Sequence, residues 1–167
     1  MDTSSHSDLR QSPIGAVIIE PVGGYGGANH YDLALCRSLG HAGVDTTLAT
    51  SDLTDAPPGM EVQVLKCYRG IFGKTPAWRR LLRFAHGTLT ALRHAREHGC
   101  SIVHLHFYGF GPTQALNALL VRLSGFKLII TAHDVESFVN GGTAGWQARR
   151  IYGLAHAVIA HNQVTKT

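Results

Sequence analysis

Gly23-Gly24-Tyr25-Gly26-Gly27-Ala28-Asn29, just after the apolar run Ala16-Val17-Ile18-Ile19, decides how this chain is read. An apolar strand that breaks on glycines and restarts as a helix leaves the helix's first-turn N–H groups pointing outward. That arrangement suits an anion, above all a phosphate. Glycine permits positive φ there and lets a ligand come close to the backbone. A plain βα turn that uses glycine for geometry alone makes the same pattern, so the flanking sequence has to choose between the two.

Outward from the loop, strand and helix patterns alternate. The first strand is predicted at residues 15–20, its apolar residues continuous as in a strand covered on both faces. After the loop, Leu33, Leu35, Cys36, Leu39 and Ala42 mark one broad helix face, and Gly40 and Gly43 loosen its end. Further strands are expected at 44–50, 61–68, 101–107, 127–131 and 156–160. Between the third and fourth, Pro76 suits a first helical turn. From there Trp78, Leu81, Leu82, Ala85, Leu89, Leu92 and Ala95 repeat at helical spacing, with the arginines largely off that face. A helix at 112–124 and a short amphipathic one at 146–152 follow. Six buried-type strands separated by helices predict an α/β fold, a Rossmann-like doubly wound parallel sheet with helices on both faces.

Length and composition bound this reading. The 167 residues suit one folded domain at 14–167 behind a polar, Ser-rich tail at 1–13 that is expected to be disordered. Charged residues make up 16%, below the ~25% usual for soluble domains, which predicts a well-filled core and surface that meets another domain or a membrane. The net charge of +4 favours an anionic partner without choosing one. Three widely spaced cysteines, Cys36, Cys67 and Cys100, read as packed, reduced thiols and a cytoplasmic protein. The tail has no apolar h-region, and no run reaches the ~18 apolar residues of a membrane span.

In such a sheet, ligands sit beyond the carboxyl ends of the strands. The glycine loop ends the first strand, and His106 and Tyr108 end the fourth. His133, Asp134 and Glu136 end the fifth, and His161 and Asn162 the sixth. Three chemistries compete for this edge. A dinucleotide oxidoreductase would need a third glycine where Asn29 stands, although Asp45 and Asp52 are available as ribose partners. A metallohydrolase would use His104 and His106, which share a strand face, with His133 and Asp134, but His104 also fits a hydrogen-bonded core position. The third is transfer from a nucleotide sugar.

The third chemistry is where a resemblance enters. The segments PVGGYGGANHYDLALCRSLGHAGVDTTLAT (21–50), SIVHLHFYG (101–109), KLIITAHDVES (127–137) and AHAVIAHN (155–162) resemble, in this order, the N-terminal acceptor-side domain of GT-B-fold glycosyltransferases, in particular retaining family 4. The resemblance implies a hexosyltransferase with a UDP- or GDP-sugar as cosubstrate, no tightly bound cofactor and no metal. Gly26 and Gly27 match the paired glycines at the donor diphosphate, and His133 the histidine beside the donor sugar. His106 and Tyr108 match the acceptor-cleft rim, with Tyr25, Asn29 and Glu136 as further acceptor contacts. The family's second, donor-binding domain has no counterpart in these residues, and Asn162 stands where the family often has serine. This implies a chain that needs a donor domain as partner and has little activity alone, or a non-catalytic acceptor- or partner-binding subunit of a split transferase. The acceptor is a glycan, a lipid-linked sugar or a small molecule, in a pathway such as polysaccharide biosynthesis.

Residues 66–84 stand apart. Lys66, Arg69, Lys74, Arg79, Arg80 and Arg83 are interleaved with Tyr68, Ile71, Phe72, Trp78 and Phe84. This reads either as a solvated basic helix face or as a surface for anionic lipid or a phosphorylated acceptor, with peripheral attachment at the inner face of the plasma membrane. No nucleic-acid motif accompanies it, so nucleic acid is not expected as a partner.

Overall fold

The computed structural model describes residues 14–24, 26–109, 111–133 and 143–160. The N-terminal tail, Tyr25, Asp134, Glu136, His161 and Asn162 of the sequence reading lie outside these residues. In chain order the elements are β1 (Ile14–Glu20), α1 (Gly26–His41), β2 (Val44–Ser51), β3 (Gln63–Tyr68), α2 (Ala77–Glu97), β4 (Ile102–Phe107), α3 (Pro112–Leu123), β5 (Lys127–Ala132), α4 (Thr143–Tyr152) and β6 (Ala157–Ala160). The strands form one parallel sheet, as the α/β alternation predicts, and their order is β3-β2-β1-β4-β5-β6. The order reverses between β1 and β4, which places the topological switch point, and the crevice that goes with it, at their carboxyl ends.

Side chains alternate along each strand and divide the core in two. Val17 and Ile19 of β1, with Val103, Leu105, Leu128 and Ile130, form the larger half together with residues of α2, α3 and α4. Ile18 and Leu48 meet Leu33 and Cys36 of α1 on the other face. The same alternation points Val103 and Leu105 of β4 into the larger half and leaves His104 and His106 on the α1 side, where His106 meets Asp32.

Two expectations need correction. First, β6 is not a buried strand: Val158 is 45% and Ile159 43% exposed, because β6 lies at the sheet edge and pairs with β5 alone. Second, the helical repeat from Trp78 to Ala95 does not form one buried face. Trp78, Leu81, Leu82 and Leu89 are exposed, whereas Gly87, Thr88, Ala91, Leu92 and Ala95 are buried. The reason is close approach. The Tyr68 ring lies so near α2 that a Cβ on Gly87 would come within 2.6 Å of it, and the Tyr68 hydroxyl shares a hydrogen bond with Thr88 Oγ1 at 3.0 Å. Thr88 in turn donates to Asn117 of α3. Small residues, one threonine and Leu92 therefore face the core, and Leu81, Leu82 and Leu89 are turned outward.

Gly87→Ala should destabilise the chain by about 1–3 kcal/mol through overpacking against Tyr68. Leu82→Gln should stay within ~0.5 kcal/mol of the parent, as exposed substitutions do. Urea unfolding of the two variants checks the assignment of faces, and a larger loss for Leu82→Gln would reverse it.

Candidate functional site

The four glycines of the loop divide their work. Gly23 and Gly24 adopt positive φ, +45° and +71°, and both sit hard against the loop after β2. A Cβ at Gly23 would come 2.1 Å from Thr54 Oγ1, and one at Gly24 2.5 Å from the Leu53 carbonyl oxygen. These two positions need glycine for backbone conformation and for space. Gly26 and Gly27 open α1, and a Cβ on Gly27 would meet nothing within 4 Å. Their first-turn N–H groups have no intrahelical acceptor, as at the start of every α-helix.

Glu20, at the end of β1, holds the first part of the loop. Its buried carboxylate accepts the N–H of Val22 at 2.9 Å and that of Gly23 at 2.6 Å. The amides of Val22 and Gly23 are thus already satisfied, and the anion-type amides are those of the helix start. Burial raises the Glu20 carboxyl to about 7, outweighing the two N–H bonds, with Asp32 adding repulsion.

Around the ends of β4 and β5 is a cluster of rings tied to α1. His106 and Asp32 are both buried, with Nδ1 of the ring 2.5 Å from the carboxylate. Burial pushes the Asp32 carboxyl up to about 7. His104 shares a hydrogen bond with Thr131 Oγ1 at 2.7 Å, and burial, then His106 and His133, lower it to about 3, so its ring is neutral near pH 7. His104 is therefore the core residue that its alternative reading expected. The Tyr108 ring stacks on His133 with centroids 4.5 Å apart, and Tyr31 meets the His133 ring edge-on at 5.0 Å. The rings of His106 and His133 are 5.2 Å apart. The structure therefore brings His106, Tyr108 and His133 together and ties them to the helix that Gly26 and Gly27 begin. Asn29 is turned the other way, its Nδ2 donating to the Asp55 carbonyl at 3.4 Å.

Beside this cluster, at the switch point, opens a cleft of about 480 Å³. Pro21 and Val22 form one end, His106 to Tyr108 the floor, α2 and the segment before it one wall, and the start of α3 the other. Three residues of the site were missed by the sequence reading: Glu20, Tyr31 and Asp32. Asp32 had a signal, since it lies beside Leu33 and one turn before Cys36 on the buried stripe of α1, and a carboxylate in such a stripe needs a partner. The partner itself, 74 positions along the chain, had none. The three cysteines are free thiols, and burial raises Cys36 and Cys67 to about 12, so they are protonated near neutral pH.

A Rossmann-like sheet with its cleft and ring cluster at the β1/β4 switch point is one half of a GT-B architecture. The sequence model for Glycosyltransferase Family 4 matches residues 25–167, and the chain belongs to that family. Solved structures similar to it include MurG of Acinetobacter baumannii (17% identity, TM-score 0.57, 89% of this chain covered). Sucrose-phosphate synthase of Thermosynechococcus elongatus (14%, 0.59, 87%) is similar as well. So is UDP-GlcNAc 2-epimerase of Methanocaldococcus jannaschii (11%, 0.59, 92%). At these identities the likeness is one of fold. The chain spans 41% of the length of each of the three. No curated protein sequence matches it.

The Glu20 carboxyl binds its proton more tightly in the folded chain than in the unfolded one. The stability this contributes is present below the ordinary value of 4.5 and is lost as the pH rises through about 7. Relative to Glu20→Gln, the parent should therefore lose up to about 3 kcal/mol of stability between pH 4.5 and 7.5, at ~1.4 kcal/mol per unit. Denaturant unfolding of both proteins across that range measures it, and a difference independent of pH would rule out a raised carboxyl.

Proposed function

We propose that this chain is the N-terminal, acceptor-side domain of a retaining, nucleotide-sugar-dependent glycosyltransferase. The observation that carries the proposal is the joining of two functions by one helix. The open first turn of α1 at Gly26 and Gly27 is positioned by Tyr31 and Asp32 against the rings at the ends of β4 and β5. In the reaction, the anomeric C–O bond of the donor breaks and its electron pair goes to the leaving diphosphate. The acceptor oxygen forms the new bond, and its proton passes to the departing phosphate or to water. The amides of Gly26 and Gly27 stabilise charge that grows on the diphosphate, and as fixed donors they need no reorganisation at that moment. His133, held between Tyr108 and Tyr31, hydrogen-bonds the donor sugar near the reacting carbon. His106 and Tyr108 border the acceptor, while Asp32 acts through His106 as a positioning residue. Tyr25 and Glu136 are further acceptor contacts in this reading.

Most of the affinity for a UDP- or GDP-sugar belongs to a second, donor-binding domain, and no tightly bound cofactor or metal takes part. Alone, this chain binds donor weakly and transfers little sugar. Among the described residues no helix is long and apolar enough to cross a membrane. The basic segment 66–84 fits peripheral attachment to an anionic membrane surface, on the cytoplasmic side where nucleotide sugars are available.

Chemical-shift titration with UDP- and GDP-sugars should give weak, millimolar changes centred on Gly26, Gly27 and His133. Gly27→Ala should keep or raise stability by up to ~1 kcal/mol, from its higher helix propensity, while removing those changes. Saturable NAD binding, or efficient transfer by the chain alone, would overturn the corresponding parts of the reading. Acceptor binding with no response to any nucleotide sugar would mark a non-catalytic subunit instead. Replacing Arg79, Arg80 and Arg83 together with Gln should weaken association with anionic liposomes, seen as loss of co-sedimentation.

A further inference from the structure

The α2 side of the cleft differs from a polar sugar site in a way that identifies the acceptor more closely. Ala77, Arg80, Leu81 and Phe84 occupy positions i, i+3, i+4 and i+7 of α2, so they form one stripe facing the cleft. Ile71 and Phe72 extend that wall, and Phe107 and Pro112 line the cleft as well. The apolar surface does not stop at the lip. Trp78 is 59% and Leu82 61% exposed, directly beside Ala77 and Leu81, so apolar surface continues from the cleft interior onto the outside of α2. A site for a free sugar would be lined mainly by hydroxyls, amides and carboxylates that bond its hydroxyl groups. Here the α2 wall offers mainly carbon, and the polar groups Thr113, Gln114 and Asn117 are confined to the opposite wall.

Charge accompanies this apolar path. From Val62 to Arg96 the sequence has eight lysines and arginines and no aspartate or glutamate. On the faces of α2 outside the cleft, Arg79 lies over the Trp78 ring at 5.0 Å and Arg83 donates to the Gly70 carbonyl at 2.8 Å. Arg80, on the cleft stripe itself, has no carboxylate partner among the described residues. A largely apolar wall carrying the unneutralised guanidinium of Arg80 is complementary to a molecule with a hydrocarbon part and a negative headgroup. The exposed Trp78 and Leu82 beside these arginines have the make-up of an interfacial helix, with aromatic and leucine residues to insert and arginines to meet headgroups.

We propose that the acceptor is an anionic lipid: its hydrocarbon part enters the cleft across the outer edge of α2, and its headgroup lies by Arg80. The hydroxyl to be glycosylated then lies at the floor, at the His106–Tyr108 end beside His133. This rests on the glycosyltransferase reading and names the substrate class for it.

The test uses decyl phosphate below its micelle concentration, followed by chemical shifts and by Trp78 fluorescence on the full chain. Binding should saturate and perturb Leu81, Phe84 and Tyr108. Leu81→Gln and Arg80→Gln, both exposed and compatible with folding, should each weaken it about tenfold, which is ~1.4 kcal/mol. Leu89→Gln, exposed but outside the cleft, should leave it unchanged. Decyl maltoside should bind about tenfold more weakly, since it keeps the chain and lacks the charge, and inorganic phosphate should not compete. The proposal is overturned by absence of saturation, by equal affinity for the maltoside, by indifference to Leu81→Gln, or by displacement of decyl phosphate by a soluble sugar. Because the nucleotide-sugar response is read separately at Gly27 and His133, its survival alongside any of these results would remove the lipid acceptor and leave the transferase reading standing.

Discussion

The end of β1 has to turn, and the turn is possible because one carboxylate is bent back into it. Glu20 is buried and bonds the amides of Val22 and Gly23, which closes the chain on itself immediately after the central strand. Positive φ at Gly23 and Gly24 then seats the loop against Thr54 and Leu53 beyond the end of β2. The direction in which α1 sets off follows from these contacts, and with it the facing of Tyr31 and Asp32. If α1 were tilted elsewhere, Asp32 would be a buried carboxylate without a partner and His106 would lose the group that holds its ring. The turn is thus both the start of the fold's second layer and the support of the site.

A second constraint acts across the sheet. The strand order reverses between β1 and β4, so the chain leaves their carboxyl ends in opposite directions and a crevice opens between them. On its α1 side the sheet carries polar and titratable groups, His104, His106 and Thr131, each with a partner. On the other side α2 borders the crevice with Ala77, Leu81 and Phe84 beside Arg80, and α3 with Pro112, Thr113, Gln114 and Asn117. Polar positioning from one face and an apolar cleft on the other converge at Tyr108, which stacks on His133 and also lines the cleft.

Much of this was legible in the sequence. The six strands, their order of appearance and the helix starts could be read within a few residues, because a continuous apolar run, a glycine break and a helical repeat are local signals. The glycine loop was legible as a strand-to-helix turn. Its division into two glycines for geometry and two for open amides was not, since that depends on what stands opposite each missing Cβ. The outward turn of Trp78, Leu81 and Leu82 was also hidden. Helical periodicity locates a hydrophobic stripe, but a second stripe of Gly87, Ala91 and Ala95 fits closer to Tyr68, and the tighter packing determines which stripe is buried.

By itself, then, the sequence determined the α/β class, the parallel character of the sheet and the strand ends on which histidines and glycines would gather, because these follow from local periodicity and the short-range rules of chain connection. Tertiary structure decided which of those residues meet. Asp32 finds His106 across 74 residues, Tyr108 finds His133 across a strand boundary, and Glu20 takes the amides of Val22 and Gly23. Such pairings are set by where two packed layers place their side chains, and no spacing along the chain encodes that distance.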